Sequence, residues 1–165
     1  MTSSTKTLAK SFVEIWTDGS CVNYADLAER KRRGTGGWAF IVVHQDNERV
    51  YRKGHLPAPQ TNQTAELHAV LEALKWIRAE LPSDARVMIH SDSMYAINGI
   101  ISHWRHQAAE TNFEGEANGD IWRDIHEVAE KLRWVRFRHV KGHNGNKFNE
   151  MADRMASFAR KHPEA

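Results

Sequence analysis

Between Pro59 and Pro82 the apolar residues change step. Val70, Ala73, Ile77 and Leu81 recur at intervals of three, four and four, which gathers them into one stripe of an α-helix. A helix with a single apolar stripe must lay it against another layer, and the segments on either side supply a sheet. Phe12–Thr17 is short and rich in β-formers, Gly36-Gly37 introduces Trp38–Val43, and Arg49–Lys53 follows the polar turn Gln45–Glu48, so that two of the three should pair as a hairpin. Beyond Pro82 the run Arg86–His90 reads as a strand. It leads into a short helix through Asn98 that Gly99 is expected to interrupt. Residues 107–119 read as a loop, and Ile121, Trp122, Ile125, Val128, Ala129 and Leu132 as a helix. Trp134–Val140 alternates like a strand, and a last helix begins near Lys147 with Phe148, Ala152, Met155 and Ala159 facing inward. The expected architecture is α/β, a five-stranded mixed sheet with helices on both faces.

No internal repeat, low-complexity tract or Pro/Gly linker divides the chain, so its 165 residues are expected to form one domain, with 1–10 and 162–165 as loose termini. No window is apolar for long enough to span a bilayer, and the first ten residues lack the apolar stretch of a signal peptide. The single cysteine, Cys21, excludes an intramolecular disulfide and any repeated Cys/His zinc spacing; a reducing, cytoplasmic setting is expected. With 23 Lys and Arg against 21 Asp and Glu, the net charge of +2 says little about a polyanionic partner. The distribution of charge has to carry that argument.

Four carboxylates stand out by position. Asp18 and Asp92 each follow the last residues of an expected strand, where mixed sheets often build their sites, although each could simply open a turn or cap a helix. Glu66 lies four residues before Val70 and tops the stripe that faces the sheet. A carboxylate there is costly without a partner; its ordinary alternative is to complement the helix dipole. Asp153 lies four residues after Asn149, at the edge of the last helix, and taken alone reads as a solvated acid. No two of these acids share a local spacing, so their convergence is an inference from topology. Were they to meet, repulsion would raise some of their pKa values unless a divalent cation neutralised them, and all-oxygen ligation selects magnesium or manganese over zinc.

Thr17-Asp18-Gly19-Ser20-Cys21, Thr61-Asn62-Gln63-Thr64-Ala65-Glu66, Ser91-Asp92-Ser93 and Lys141-Gly142-His143-Asn144-Gly145, with Asn149 and Asp153 beyond, together resemble ribonuclease HI over nearly the whole chain. The resemblance implies the ribonuclease H-like fold and hydrolysis of the RNA strand of an RNA–DNA hybrid, without sequence preference, to 5′-phosphate and 3′-hydroxyl ends. It implies two Mg2+ ions, or Mn2+, held by Asp18, Glu66, Asp92 and Asp153, with Asp18 bridging both. His143, between Gly142 and Gly145, would move a proton or help product and metal leave. Gly19, Ser20, Cys21, Asn62, Gln63, Ser93 and Asn149 would meet substrate, though Asn62 can equally be read as the helix cap. The implied partner is the hybrid, met by a monomer that needs no membrane. Two alternatives share the fold: a DNA-acting nuclease, against which the Thr61–Glu66 and Lys141–Asp153 motifs speak, and a hybrid-binding module that does not cut, which would normally have lost a carboxylate.

Two departures from the family pattern concern how a hybrid is gripped. Val22–Thr35 is longer than the family's usual turn and carries Arg30, Lys31, Arg32 and Arg33, either a phosphate contact beside the site or a solvated loop. Residues 105–120, where several members place a basic protrusion, hold Arg105 against Glu110, Glu114, Glu116 and Asp120, so a grip there is not expected. Basic charge gathers instead at Lys131, Arg133, Arg136, Arg138, Lys141 and Lys147.

Overall fold

The computed structural model describes residues 12–22, 24–105, 113–142 and 145–164. Its strands are β1 (Phe12–Cys21), β2 (Gly36–Val43), β3 (Arg49–Leu56), β4 (Arg86–Ser91) and β5 (Val135–His139). Its helices are α1 (Leu27–Arg33), α2 (Asn62–Glu80), α3 (Met94–Arg105), α4 (Gly119–Ala129) and α5 (Lys147–Lys161). The sheet runs β3-β2-β1-β4-β5. β1 to β3 form an antiparallel meander, while β4 joins β1 and β5 joins β4 in parallel. This is the five-stranded mixed sheet that the periodicity predicts. Among the described residues no helix is long and apolar enough to cross a membrane.

Alternation along β1 divides its side chains between two layers. Val13 and Ile15 face the larger core, where Leu67, Val70, Leu74 and Ile77 of α2, Ala96 and Ile100 of α3, and Trp122 and Ile125 of α4 pack on the sheet. Trp16 and Ser20 face the other way, toward Phe148 and Ser157 of α5. Helices therefore cover both faces.

Several boundaries differ from the sequence reading, each for a local reason. α2 is capped by Thr61, not Asn62: Thr61 Oγ1 accepts from the Thr64 N–H at 3.1 Å, and Thr64 Oγ1 accepts from the Thr61 N–H at 2.8 Å. Asn62 is thereby left exposed in the first turn. β1 continues through Asp18 to Cys21 because β2 pairs with it that far. Within the segment between β1 and β2, residues 27–33 form α1, capped by Asp26 Oδ1, which accepts from the Ala28 N–H at 2.9 Å. The buried face of α5 is Asn149, Ala152, Ala156 and Ala159; Phe148 and Met155 flank it, half-buried. Residues 113–118 form turns, and the rest of the expected loop lies outside the described residues.

Gly99 does not interrupt α3, which runs through it. Its absent side chain makes room for a neighbour: a Cβ at this position would lie 2.3 Å from Trp122 Cη2. The helix accepts glycine's weaker propensity in exchange for close packing against α4. Gly99→Ala is expected to destabilise the protein by about 1–3 kcal/mol, as overpacked core sites do, despite alanine's better helix propensity. A urea midpoint equal to or above wild type would contradict this packing.

Candidate active site

Two closely approached helices bring the acids together at one end of the sheet. On one face, a Cβ on Gly19 would lie 2.3 Å from the Ala65 carbonyl carbon, so only glycine lets the first turn of α2 settle onto β1. Glu66 is thereby placed where its Oε1 accepts from the Gly19 N–H, which also donates to Asp18 Oδ1 at 2.9 Å. On the opposite face, a Cβ on Gly37 would lie 2.1 Å from the Ala156 carbonyl oxygen, so β2 lets α5 in just as closely. Asp153, on that helix, comes close enough to Asp18 to act on its carboxyl. The last parallel rung between β1 and β4 pairs Thr17 with Ser91. Asp18 and Asp92 are the next residue on each strand, which sets them side by side.

Oxygen atoms of Asp18, Glu66 and Asp92 lie within 4.8 Å of one another. Asp153 adjoins this trio through Asp18, while Glu66 interacts with both Asp18 and Asp92. All four sequence-predicted carboxylates therefore meet. Asp18 lies at the centre and is only 4% exposed. Burial pushes its pKa from 3.8 up to about 8; Asp92 and Asp153 add repulsion, while the hydrogen bond with Glu66 opposes the rise. Burial, followed by the charges of Asp18 and Asp92, likewise drives the Glu66 carboxyl well above its ordinary range. A set of oxygen donors that holds its negative charge so poorly without a counterion suits one or more hard divalent cations.

The remaining predicted residues fall into three groups. Asn62 and Gln63 are exposed on the first turn of α2, beside Glu66. Ser20, Cys21 and Ser93 are engaged in hydrogen bonds, and Asn149 is buried. Ser20 Oγ accepts from Arg160 Nε at 3.1 Å, Cys21 Sγ donates to the Gln60 carbonyl at 3.3 Å, and Ser93 Oγ accepts from the Ala96 N–H at 3.1 Å in the first turn of α3. Asn149 is buried one helical turn before Asp153, and its Oδ1 has no hydrogen-bond partner among the described residues. His143 lies outside the described residues. Its neighbour Gly142 sits against Asp92, a Cβ there being 3.1 Å from Oδ2.

Sequence reasoning missed two contributors. His139 Nε2 lies 3.2 Å from the Asp92 carbonyl oxygen and ties β5 to the segment that bears that acid. Arg160 reaches Ser20, two residues beyond Asp18 on the same face of β1. Its position two turns after Asp153, on the same side of α5, was the available signal.

Residues 10–161 match the RNase H family model. Curated ribonucleases H from Treponema denticola and Syntrophomonas wolfei are 33% and 34% identical, covering 87% and 88% of this chain and 94% and 93% of their own. The crystal structure of LC9-RNase H1, a type 1 RNase H with the type 2 active-site motif, superposes with a TM-score of 0.75 at 26% identity, over 93% of this chain and 74% of that one. The chain belongs to the ribonuclease H family. Its members are endoribonucleases, and so is this protein.

The central acid has a consequence for stability. A carboxyl whose folded-state pKa is raised contributes relative stability below its ordinary pKa and loses it as pH climbs through the raised one. Metal-free protein should therefore become less stable between about pH 4 and the raised value of about 8, and Asp18→Asn should flatten the decline. Thermal unfolding in EDTA across that range tests this. A wild-type profile that is flat, or that rises with pH, would contradict it.

Proposed function

We propose that this ribonuclease H hydrolyses the RNA strand of RNA–DNA hybrids, leaving 5′-phosphate and 3′-hydroxyl ends, with two magnesium ions held by Asp18, Glu66, Asp92 and Asp153. The observation that carries the reading is the cluster itself: a nearly inaccessible Asp18 surrounded by three more carboxylates, in a chain of this family. When bound, such ions supply positive charge to both the entering and the leaving oxygens of the phosphodiester. Manganese, equally suited to oxygen donors, is the natural substitute.

The protein's own groups divide the remaining work. The Gly19 N–H fixes the carboxylates of Asp18 and Glu66 from the backbone, so the central donors are oriented before substrate arrives. Asp92 and Asp153 approach from β4 and α5, giving the cluster donors from separate elements. His143, next in sequence to Gly142, is assigned to proton movement or product departure. Asn62 and Gln63, exposed beside Glu66, are assigned to read 2′-hydroxyls and base edges in a wide, shallow minor groove. Contacts of that kind select RNA without reading sequence. Asn149, with its unpaired buried oxygen one turn from Asp153, is assigned to support that end of the cluster.

Asp92→Asn tests the assignment because Asp92 is only half-buried and its removal also relieves repulsion on Glu66. The variant is expected to fold with an unchanged or higher Tm and to lose magnesium-dependent hybrid cleavage by roughly three orders of magnitude or more. Wild-type protein should cut labelled hybrid but neither single-stranded RNA nor duplex DNA, and EDTA should abolish cutting. Near-normal activity in folded Asp92→Asn, or equal cutting of duplex DNA, would overturn the reading.

A further inference from the structure

Helix α1 has no buried residue. Leu27, its only large apolar side chain, is 57% exposed, so the helix exists without contributing to the core. It is held by hydrogen bonds instead. Arg30 Nη2 donates to the Tyr24 carbonyl at 3.0 Å, and the Arg33 guanidinium lies 5.5 Å above the Tyr24 ring. At its far end the Gly34 carbonyl accepts from the Gln60 N–H at 2.7 Å, and Gln60 Oε1 accepts from Thr64 Oγ1 at 2.7 Å. That chain of bonds couples α1 to the first turn of α2, where Asn62, Gln63 and Glu66 stand. β1 ends at Cys21 and β2 begins at Gly36, so α1 occupies the same end of the sheet as Asp18.

Its four consecutive cations divide into two kinds. Arg30 and Arg33 brace the helix against Tyr24. Lys31 and Arg32 are exposed; Arg32 pairs with Glu29 at 2.5 Å with its own side chain 70% accessible, and no ion pair among the described residues includes Lys31. A surface pair of that sort contributes little to stability and exchanges readily for a phosphate. Arg160 extends the positive charge along β1 toward Asp18: it bonds Ser20, and both it and Arg30 act electrostatically on Cys21.

We propose that α1 is a backbone clamp, in which Lys31 and Arg32 hold phosphates of the bound RNA–DNA hybrid beside the carboxylate cluster. The proposal rests on the reading of this chain as a hybrid-cleaving enzyme. A helix with no buried residue, tied by hydrogen bonds to the turn that would meet the minor groove and bearing two exposed cations, Lys31 without an ion pair among the described residues and Arg32 in a surface pair with Glu29, fits a polyanion lying across the strand ends. Each phosphate contact releases condensed counterions, so the clamp has a salt signature that a purely structural helix lacks.

The test is hybrid affinity of the full chain in EDTA, read by fluorescence anisotropy across a salt series, for wild type, K31A/R32A and the charge-preserving K31R/R32K. K31A/R32A is expected to bind roughly tenfold more weakly at low salt, with a log Kd against log salt slope shallower by about 1 to 2, while K31R/R32K keeps the wild-type slope. An unchanged slope in K31A/R32A overturns the clamp, as does weaker binding without a change of slope. If that variant lowers the Tm, K31E alone provides the same reading at a position with no ion pair among the described residues. Cleavage of hybrid by wild type in magnesium is measured in parallel. If wild type cuts and the slopes are equal, the clamp alone fails; if wild type does not cut hybrid, the functional reading fails and takes the clamp with it.

Discussion

Contact of helix backbone with sheet backbone at Gly19 and Gly37 is the constraint from which the site follows. The two contacts lie on opposite faces and pinch the sheet between the first turn of α2 and the middle of α5. Any side chain at either position would hold its helix away and move Glu66 or Asp153 from Asp18. The close approach is sustained by the packing behind it. Val13 and Ile15 of β1, with Leu67, Val70, Leu74 and Ile77 of α2, are almost wholly removed from water, and each such side chain contributes roughly 1.5–3 kcal/mol. That burial offsets the cost of desolvating acids at the edge of the same interface.

Parallel pairing of β1 with β4 adds the third element. In a parallel ladder both strands run toward the same end of the sheet, so residues that follow the last shared rung emerge together. Asp18 and Asp92 do so after Thr17 and Ser91. β1 nevertheless continues along β2 to Cys21, which leaves Asp18 inside a strand on one side and at a strand end on the other. This asymmetry explains why Asp18 is the most buried of the acids and the one on which the others converge. The site is built for charge it does not itself balance: the two acids held by the Gly19 N–H, Asp18 and Glu66, are both hindered by burial from ionising unaided.

Element types and order were legible because each depends on local spacing, as with the 3-4-4 stripe of α2 and the alternation around Phe137. Glu66 was legible for the same reason, since a carboxylate that tops an inward stripe is visible without a structure. Other features depend on contacts distant in sequence. Gly99 reads locally as a helix breaker, and only Trp122, across the interface, reveals it as a packing position. Nothing near Asp153 distinguishes it from a solvated acid; its meaning comes from Gly37, more than a hundred residues earlier. The cap of α2 was misplaced by one residue because Thr61 and Asn62 are both good capping types, and the reciprocal bond from Thr64 decides between them. In α1, the charge run was plain, yet its helical form depends on Asp26, Tyr24 and Gln60, none of which sets a periodicity.

A polyanion directed to four carboxylates meets repulsion until cations intervene, and a net charge of +2 is too small to overcome it at a distance. Attraction must come from local concentration. The described residues leading into α4 and its first turn cannot supply it, because Glu114, Glu116 and Asp120 are all exposed there. Positive charge instead flanks the strand ends on two sides: α1 and Arg160 beyond the β1–β2 end, and Arg138 and Lys141 near the β4–β5 end. A duplex laid across the strand ends between these flanks would be held at two points with the acids between them. Because exposed charges more than a Debye length apart act almost independently, at roughly 8 Å in physiological salt, each flank would contribute separately to grip without perturbing the ionisation of the buried centre. Binding strength and cutting chemistry can therefore be adjusted on different residues of the same surface.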